Sequence, residues 1–346
     1  MRASTDIISP EAPITLDLLN ELIARNEGSA LGKFIGDKSL SKKALSGSLS
    51  EKINTRLLNG SAFGETLWEK ETGRTVGIVT ADEANWDTEH FGIRMGKITL
   101  AVFDEKVGLK KRIEVLGRLA KKIDAKMLSA RVNLTDLKTI QALEKMGAIL
   151  TDVLLTYRFD LKNQLRSTHA PRTSISPVRE DEAYELAHIG RSIFTVDRFH
   201  GDPNLSAAKS SELYGKWVLN SANGLAQAVL VARDGDKIAG FITCKVEQIN
   251  SVYKFGTIDL VGVRPSFAGL GIGRELVQSA LKWFTGRVPS VYVGTQAANT
   301  RAVRLYEGSK FAYACSEATF HLWADSNSKT IASRATLTKS RDNSRT

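Results

Sequence analysis

The stretch that decides the reading is TIDLVGVRPSFAGLGIGRELVQSALKW, Thr257 to Trp283. It opens on a nearly continuous apolar run, which reads as a buried strand. It closes on a segment with Leu276, Ala280 and Trp283–Phe284 on one side, which reads as a helix. Between the two, Gly269, Gly271 and Gly273 alternate with Leu270 and Ile272. A helix N-terminus carries unpaired N–H groups and a partial positive charge. Side chains removed just before it let a phosphate rest on the amides themselves. Two other phosphate loops fail here. A Walker loop ends in Gly-Lys-Ser/Thr, and Gly273 is followed by Arg274-Glu275. A dinucleotide loop needs G-x-G-x-x-G, and its third glycine position holds Arg274.

Downstream, SVYVGTQ reads as a strand, NTRAVRLYEGS as a helix and FAYACSEATFHLW as a last strand. Upstream, AQAVLVARDGDKIAGFITCKVEQ reads as a hairpin turned at Asp234-Gly235. Before it come a short strand, SISPVRE, and two helices, DEAYELAHIGRSIF and SAAKSSELYGKWVLNSAN, flanking the loop VDRFHGDPNL. The polar stretch KNQLRSTHAPRTS reads as a linker. Ahead of it stands a hairpin turned at ETGR, a strand KITLAVF and the Lys106–Lys126 helix with Ile113, Leu116, Leu119 and Ile123 at core spacing. MLSARVN, TDLKTIQALEKMG and ILTDVLLTYRFDL follow as strand, helix and strand. With Ala148 set against Phe311, an offset of about 163, Asp136 falls on Asn299, Thr139 on Ala302 and Glu144 on Glu307. That is an internal repeat of a whole unit. The expected organisation is a helical extension over 1–60, a partial domain over 61–162, a linker over 163–174, the main domain over 175–324 and a disordered tail over 325–346.

Of the 346 residues 42% are hydrophobic and 25% charged, an ordinary balance for a globular chain with room for two domains. The formal net charge of +10 suits an anionic partner such as CoA or a nucleotide sugar. No basic stripe is interleaved with aromatics and no zinc-finger spacing is present, which argues against nucleic acid. No apolar run reaches the roughly 18 residues that span a bilayer. The N-terminus lacks the apolar core of a signal peptide, so the expected location is cytoplasmic, with no membrane partner. Cys244 and Cys315 sit in apolar runs without metal-ligand spacing and read as small core residues; no metal is expected.

These motifs resemble the GNAT superfamily of N-acetyltransferases. Its acetyl-CoA motif runs Arg/Gln-x-x-Gly-x-Gly/Ala. Gly271 and Gly273 match the small positions, while Ala268 stands in place of the Arg or Gln. Asn299, Ala302, Leu305, Tyr306 and Phe311 fit a second family pattern, in which Lys310 replaces a glycine. ANWDTEHFGI, YELAHIGRSIFTVDRFHGDPNLS, YGKWV, VGTQAANTRAVRLYEGS and FHLW further resemble the group of GNAT enzymes that acetylate the amine of dTDP-fucosamine, a dTDP-4-amino-4,6-dideoxygalactose, for surface polysaccharide.

The resemblance implies an α/β (α+β) fold, a central mixed but mostly antiparallel sheet flanked by helices, preceded by a degenerate GNAT-like domain. It implies acetyl-CoA as cosubstrate. The backbone of Leu260, Val261, Gly262 and Val263 would meet the pantetheine arm and the thioester. Gly269, Leu270, Gly271, Ile272, Gly273 and Arg274 would hold the pyrophosphate. Asn299 would meet the pantetheine arm or cap its helix, or do both. Tyr306 would protonate the departing sulfur, its other reading being a core residue. Arg198, Phe199 and His200 would face the acceptor, a small molecule of nucleotide-sugar type, as diphosphate donor, stacking ring and hydroxyl partner. Trp86, Asp87 and Phe91 match in the first half. The base stays open among Asp259, Glu247, Asp197, His200 or none. A protein N-terminus, polyamine or antibiotic as acceptor, a non-catalytic acyl-CoA-binding module, and a homodimer all stay open.

Overall fold

The computed structural model describes residues 7–8, 14–34, 41–162, 173–249 and 253–324. These form two compact units, and neither is a continuous stretch of chain. Residues 7–8, 14–34, 41–151 and 317–324 belong to the first, and 152–162, 173–249 and 253–316 to the second.

The first unit contains β1 (Ile7–Ile8), α1 (Leu16–Arg25), α2 (Glu27–Leu31), α3 (Lys42–Leu58), β2 (Ala62–Glu69), β3 (Arg74–Glu83), α4 (Asn85–Phe91), β4 (Met95–Phe103), α5 (Leu109–Ile123), β5 (Met127–Asn133) and α6 (Leu137–Lys145). Strands β1 to β4 run antiparallel in order, and β5 lies parallel to β4. On α5, Val115, Leu116, Leu119 and Ile123 are buried, the helical spacing that turns one face to the sheet. Arg112 is buried on that same helix. Its guanidinium donates to Asp136 Oδ1 at 2.7 Å and Thr139 Oγ1 at 2.6 Å, which ties α5 to the start of α6. The edge of β5 is closed by the end of β13 (Ala312–Trp323), with Asn133 opposite Glu317 and Met127 opposite Trp323.

The second unit repeats this plan with β7 (Ser174–Pro177), α7 (Ala183–Ile193), α8 (Ala207–Asn220), β8 (Ala228–Asp234), β9 (Lys237–Gln248), β10 (Lys254–Ile258), β11 (Val261–Val263), α9 (Ile272–Phe284), β12 (Ser290–Gln296) and α10 (Thr300–Gly308). Strands β7 to β10 are antiparallel neighbours, and β12 lies parallel to β10. The sheet is closed by β6 (Ile149–Asp160), with Gln296 opposite Leu154 and Ser290 opposite Asp160. Each unit is thus completed by a strand from the other half of the sequence.

The repeat seen in the sequence holds to the residue. At an offset of 163, β5 falls on β12, α6 on α10 and β6 on β13 without a residue gained or lost at either end, and Leu109 at the start of α5 falls on Ile272 at the start of α9. The fold is a mixed, mostly antiparallel α/β GNAT fold, present twice in tandem. The residues expected to form the tail, 325–346, and most of the expected linker, 163–172, lie outside the described residues.

Candidate active site

The site forms where one strand parts from its neighbour. Strand β10 pairs with β9 with Thr257 opposite Lys245, whereas β11 pairs with β9 with Val261 opposite Ile242. Residues 258–260 therefore face only residues 243–244 of β9, a one-residue bulge. Pairing with β12 stops at Ile258, opposite Val293, and β11 continues along β9 alone.

Alternation in an antiparallel pair now decides which backbone groups are free. The Leu260 carbonyl accepts from Thr243 N at 3.0 Å, and Arg264 N donates to the Ala239 carbonyl at 2.9 Å. Even-numbered residues thus point their amides at β9. Val261 and Val263 point theirs the other way, into the space β12 has left. This corrects the expectation for Leu260 and Gly262, whose backbones are committed to β9. Gly262 is there for room: a Cβ would lie 2.4 Å from Ile193 Cδ1 and 2.8 Å from Phe241 Cε1.

After Val263 the chain enters the glycine turn. Gly269 and Gly271 have φ of +82° and +86°, and a Cβ on either would meet nothing within 4 Å. The turn needs the left-handed backbone, and the space before it is open. Gly271 is the N-cap of α9 and offers no side-chain cap, whereas Asn299 caps α10 by accepting from Ala302 N at 3.2 Å. The first amides of α9, from Ile272 and Gly273, therefore stay available to an anion. Leu270 and Arg274 are exposed beside them, and the Ile272 side chain is core, 2% exposed, so its contribution is its amide. Gly273 serves packing. A Cβ there would come 3.3 Å from Leu305 Cδ2 and 3.8 Å from Val263 Cγ2, so α9, α10 and β11 converge at this point.

One residue past Leu305 stands Tyr306, 4% exposed, its ring against Tyr157 at 6.2 Å and Phe311 at 5.9 Å. Among the described residues its hydroxyl has no hydrogen-bonding partner. Burial pushes the phenol well above its ordinary value, so it stays protonated. Both sequence readings of Tyr306 are thus visible at once: a core ring carrying an uncommitted proton. Tyr157 comes from β6 and donates to Glu307 Oε1 at 3.2 Å.

The acceptor loop differs from expectation. Phe199 is only 3% exposed, and the Arg198 guanidinium lies over its ring at 4.2 Å, so this ring cannot stack on a ligand. His200 is occupied as well: Nδ1 meets Asp197 Oδ2 at 2.5 Å and Nε2 meets Ser211 Oγ at 3.1 Å. Asp197 Oδ1 also accepts from Phe199 N at 2.8 Å and His200 N at 3.1 Å. The histidine staples its loop to α8 and has no ring nitrogen left for a sugar hydroxyl. The half-buried Arg198 keeps its place on this loop. Next to His200 packs an aromatic group not singled out in the sequence. Phe194 stacks on Tyr214 at 5.0 Å, Tyr214 on Trp217 at 5.9 Å, and Phe194 meets Phe241, the cross-strand partner of Gly262, at 6.4 Å. Tyr214 and Trp217 carried only helical spacing on α8, which reads equally well as core, and Phe194 ends α7.

Of the open bases, Asp259 lies at the bulge and pairs with Lys245 at 3.3 Å, which also meets Glu247 at 3.6 Å. Cys244 is fully buried, its thiol pushed up to about 12 by burial alone, so it is an inert core residue. Among the described residues no cluster of His, Cys, Asp and Glu could hold a metal ion, and no helix is long and apolar enough to cross a membrane. In the first half, Trp86 stacks on His90, and Phe91 is buried.

A strand that parts from its parallel neighbour, followed by a turn into an uncapped helix, is the arrangement that receives an acyl-CoA in GNAT proteins. Residues 194–311 match the acetyltransferase (GNAT) family. The matched segment takes up about a third of the chain and lies in the second unit, so it is this segment that is similar to the GNAT acetyltransferases, a family that uses acetyl-CoA. A crystal structure of a GCN5-related N-acetyltransferase from Sphaerobacter thermophilus superposes with a TM-score of 0.58 at 17% identity, covering 91% of this chain and 95% of that one. The spore coat polysaccharide biosynthesis protein SpsD of Bacillus subtilis is 22% identical over 261 residues, 75% of this chain and 88% of that protein. The dTDP-fucosamine acetyltransferase of Escherichia coli is 29% identical over 132 residues, 37% of this chain and 54% of that enzyme. The resemblance to that enzyme is therefore more distant and partial than the sequence motifs suggested, while the one to SpsD takes in most of both chains.

Proposed function

We propose that the second unit transfers an acetyl group from acetyl-CoA to the amine of a nucleotide-linked amino sugar, on a route to a surface polysaccharide. The observation that carries this reading is the similarity to SpsD over most of both chains, since that protein is named for polysaccharide biosynthesis. The partial similarity to an enzyme named for dTDP-fucosamine supports the nucleotide sugar, with dTDP-4-amino-4,6-dideoxygalactose as the reference acceptor.

The residues present fit the cosubstrate. The outward amides and carbonyls of Val261 and Val263 extend the sheet to the pantetheine arm, and one N–H there steadies the thioester oxygen as charge develops on it. The amides at Ile272 and Gly273 receive the pyrophosphate across the open space before Gly271. The thioester supplies an activated acyl carbon. The neutral amine bonds to that carbon, the C–S bond breaks, Tyr306 gives its proton to the leaving sulfur, and water takes up the proton the amine sheds. Arg198 offers a guanidinium for the acceptor's diphosphate.

The test is thiol release from acetyl-CoA by the purified protein against dTDP- and UDP-linked amino sugars, polyamines and peptide N-termini, with the product weighed by mass spectrometry. Release confined to amino-sugar nucleotides is expected. Release with polyamines or peptides alone would replace the acceptor class, and binding of CoA without turnover of any amine would make this an acyl-CoA-binding module.

A further inference from the structure

The bulge that frees Val261 and Val263 has an identifiable cause, and it lies on the neighbouring strand. Thr243 sits on β9 opposite the extra residue and is fully buried. Its backbone N–H donates to the Leu260 carbonyl at 3.0 Å, as an antiparallel pair requires. The return bond is diverted: Leu260 N donates to the Thr243 hydroxyl at 2.9 Å. Leu260 is only 3% exposed, so water has little access to that amide. A buried N–H without a partner is costly, and the hydroxyl is what satisfies it here. The hydroxyl reaches where a carbonyl cannot, and so it sustains the one-residue slip.

The first unit carries a related arrangement, in which the hydroxyl meets a second side chain rather than a backbone amide. Thr80 lies at the repeat offset from Thr243, is also fully buried, and its hydroxyl meets Thr99 Oγ1 at 2.9 Å. The register between β3 and β4 slips there too, from Thr80–Leu100 to Ala81–Ile98, leaving Thr99 as the extra residue. Parallel pairing of β4 with β5 extends only from Met95 to Lys97, just before the bulge. A threonine hydroxyl thus accompanies the parting of strands in both halves of the chain.

We propose that Thr243 is a positioning residue for acyl transfer. Its hydroxyl holds the Leu260 amide, and this sets the parity of β11 so that Val261 and Val263 face the cosubstrate. The inference rests on the placement of acetyl-CoA described above. Thr243→Val keeps the shape and removes the hydroxyl; Thr243→Ser keeps the hydroxyl and removes a methyl group. Calorimetry should follow CoA and, separately, adenosine 3′-phosphate 5′-diphosphate, the nucleotide end without the pantetheine arm. Thr243→Val should weaken CoA by about tenfold or more and leave the nucleotide end unchanged, while Thr243→Ser restores CoA binding. A role confined to general stability would lower Tm and move both ligands together or neither, which would overturn the proposal. If the valine variant does not fold, Thr243→Ala against Thr243→Ser makes the same comparison, because both lack the methyl group. Gly271→Val is the control for the site. If it binds CoA as the parent does, the cosubstrate placement fails and this inference with it. If Gly271→Val loses CoA and Thr243→Val keeps it, only the role of Thr243 falls.

Discussion

Replacement of Tyr306 by Phe separates catalysis from packing. The ring is buried in the core of the second unit and is retained, so the apolar contacts with Tyr157 and Phe311 survive. The hydroxyl has no partner among the described residues, so its removal breaks no protein hydrogen bond. An apolar group in place of an unsatisfied hydroxyl is neutral or stabilising, by up to about 1 kcal/mol. The rate should behave in the opposite sense. Loss of a positioned acid lowers a chemical step by about 10²–10⁴-fold, or roughly 2.7–5.5 kcal/mol of barrier. The expected variant is therefore as stable as the parent and slow. Equilibrium denaturation gives the first quantity, and rapid-quench single turnover gives the second, since product release can hide a chemical step in kcat. The KM for acetyl-CoA should hardly move. A well-folded Phe variant with parental single-turnover rate would leave Tyr306 a packing residue and nothing more.

Further outcomes concern pH, the glycine turn, a buried ion pair and stoichiometry. Burial raises the Tyr306 phenol, and burial with the Glu307 carboxylate raises that of Tyr157, so the unfolded chain releases these protons first. Stability is then full below pH about 10 and falls as pH rises beyond it, and Tyr306→Phe should flatten that fall in alkaline denaturation. Gly271→Ala should cost about 1–2 kcal/mol, because φ is +86°, and weaken CoA; Gly273→Ala should be nearly neutral in stability, gaining helix propensity against a 3.3 Å contact with Leu305. Arg233 donates to Glu182 at 2.5 Å, with side chains 4% and 10% exposed, so Arg233→Met should cost about 3–5 kcal/mol by urea denaturation. The Arg233 hydrogen bonds hold the Glu182 carboxyl below its usual range, so that pair stabilises above the ordinary carboxylate pKa and its contribution fades as pH falls; the methionine variant should lack this acid loss. Titration should find one CoA per chain, since the turn before α5 carries Asp104 and Glu105 and its N-cap Gly108 has a φ of −72°, unlike Gly271.

The strand, turn and helix from Thr257 to Trp283 were legible because alternating glycines at a strand end have few structural uses. The tandem arrangement was legible because a strand–helix–strand unit kept its length through the repeat. What escaped the sequence was parity. Nothing in LVGV says which amides face outward; that depends on a single extra residue and on a hydroxyl one strand away, Thr243, which by itself reads as any β-branched strand residue. Phe199 and His200 were misjudged for a related reason. An aromatic and a histidine in a polar loop look available until Asp197 and Ser211 are seen to fold the loop back on itself. The buried Arg112 was invisible within a lysine-rich helix, because its acidic partner Asp136 lies on another element. The exchange of closing strands left no local trace, since β6 and β13 have the composition of any sheet strand.

That exchange governs the order in which the protein can be made. Strand β5 ends at Asn133, but the segment that covers its outer edge begins at Glu317. At a ribosomal pace of about 5–20 residues per second, the nascent chain carries that uncovered edge for roughly 10–40 s. Strand β6 likewise emerges well before β12, its partner, has been translated. The first unit therefore cannot finish folding before the second has been synthesised, although its helices and hairpins are complete long before. A ribosome-stalled chain ending near residue 200, with β5 clear of the ribosome, should remain sensitive to protease in β5, and protection should arrive only with the final strand.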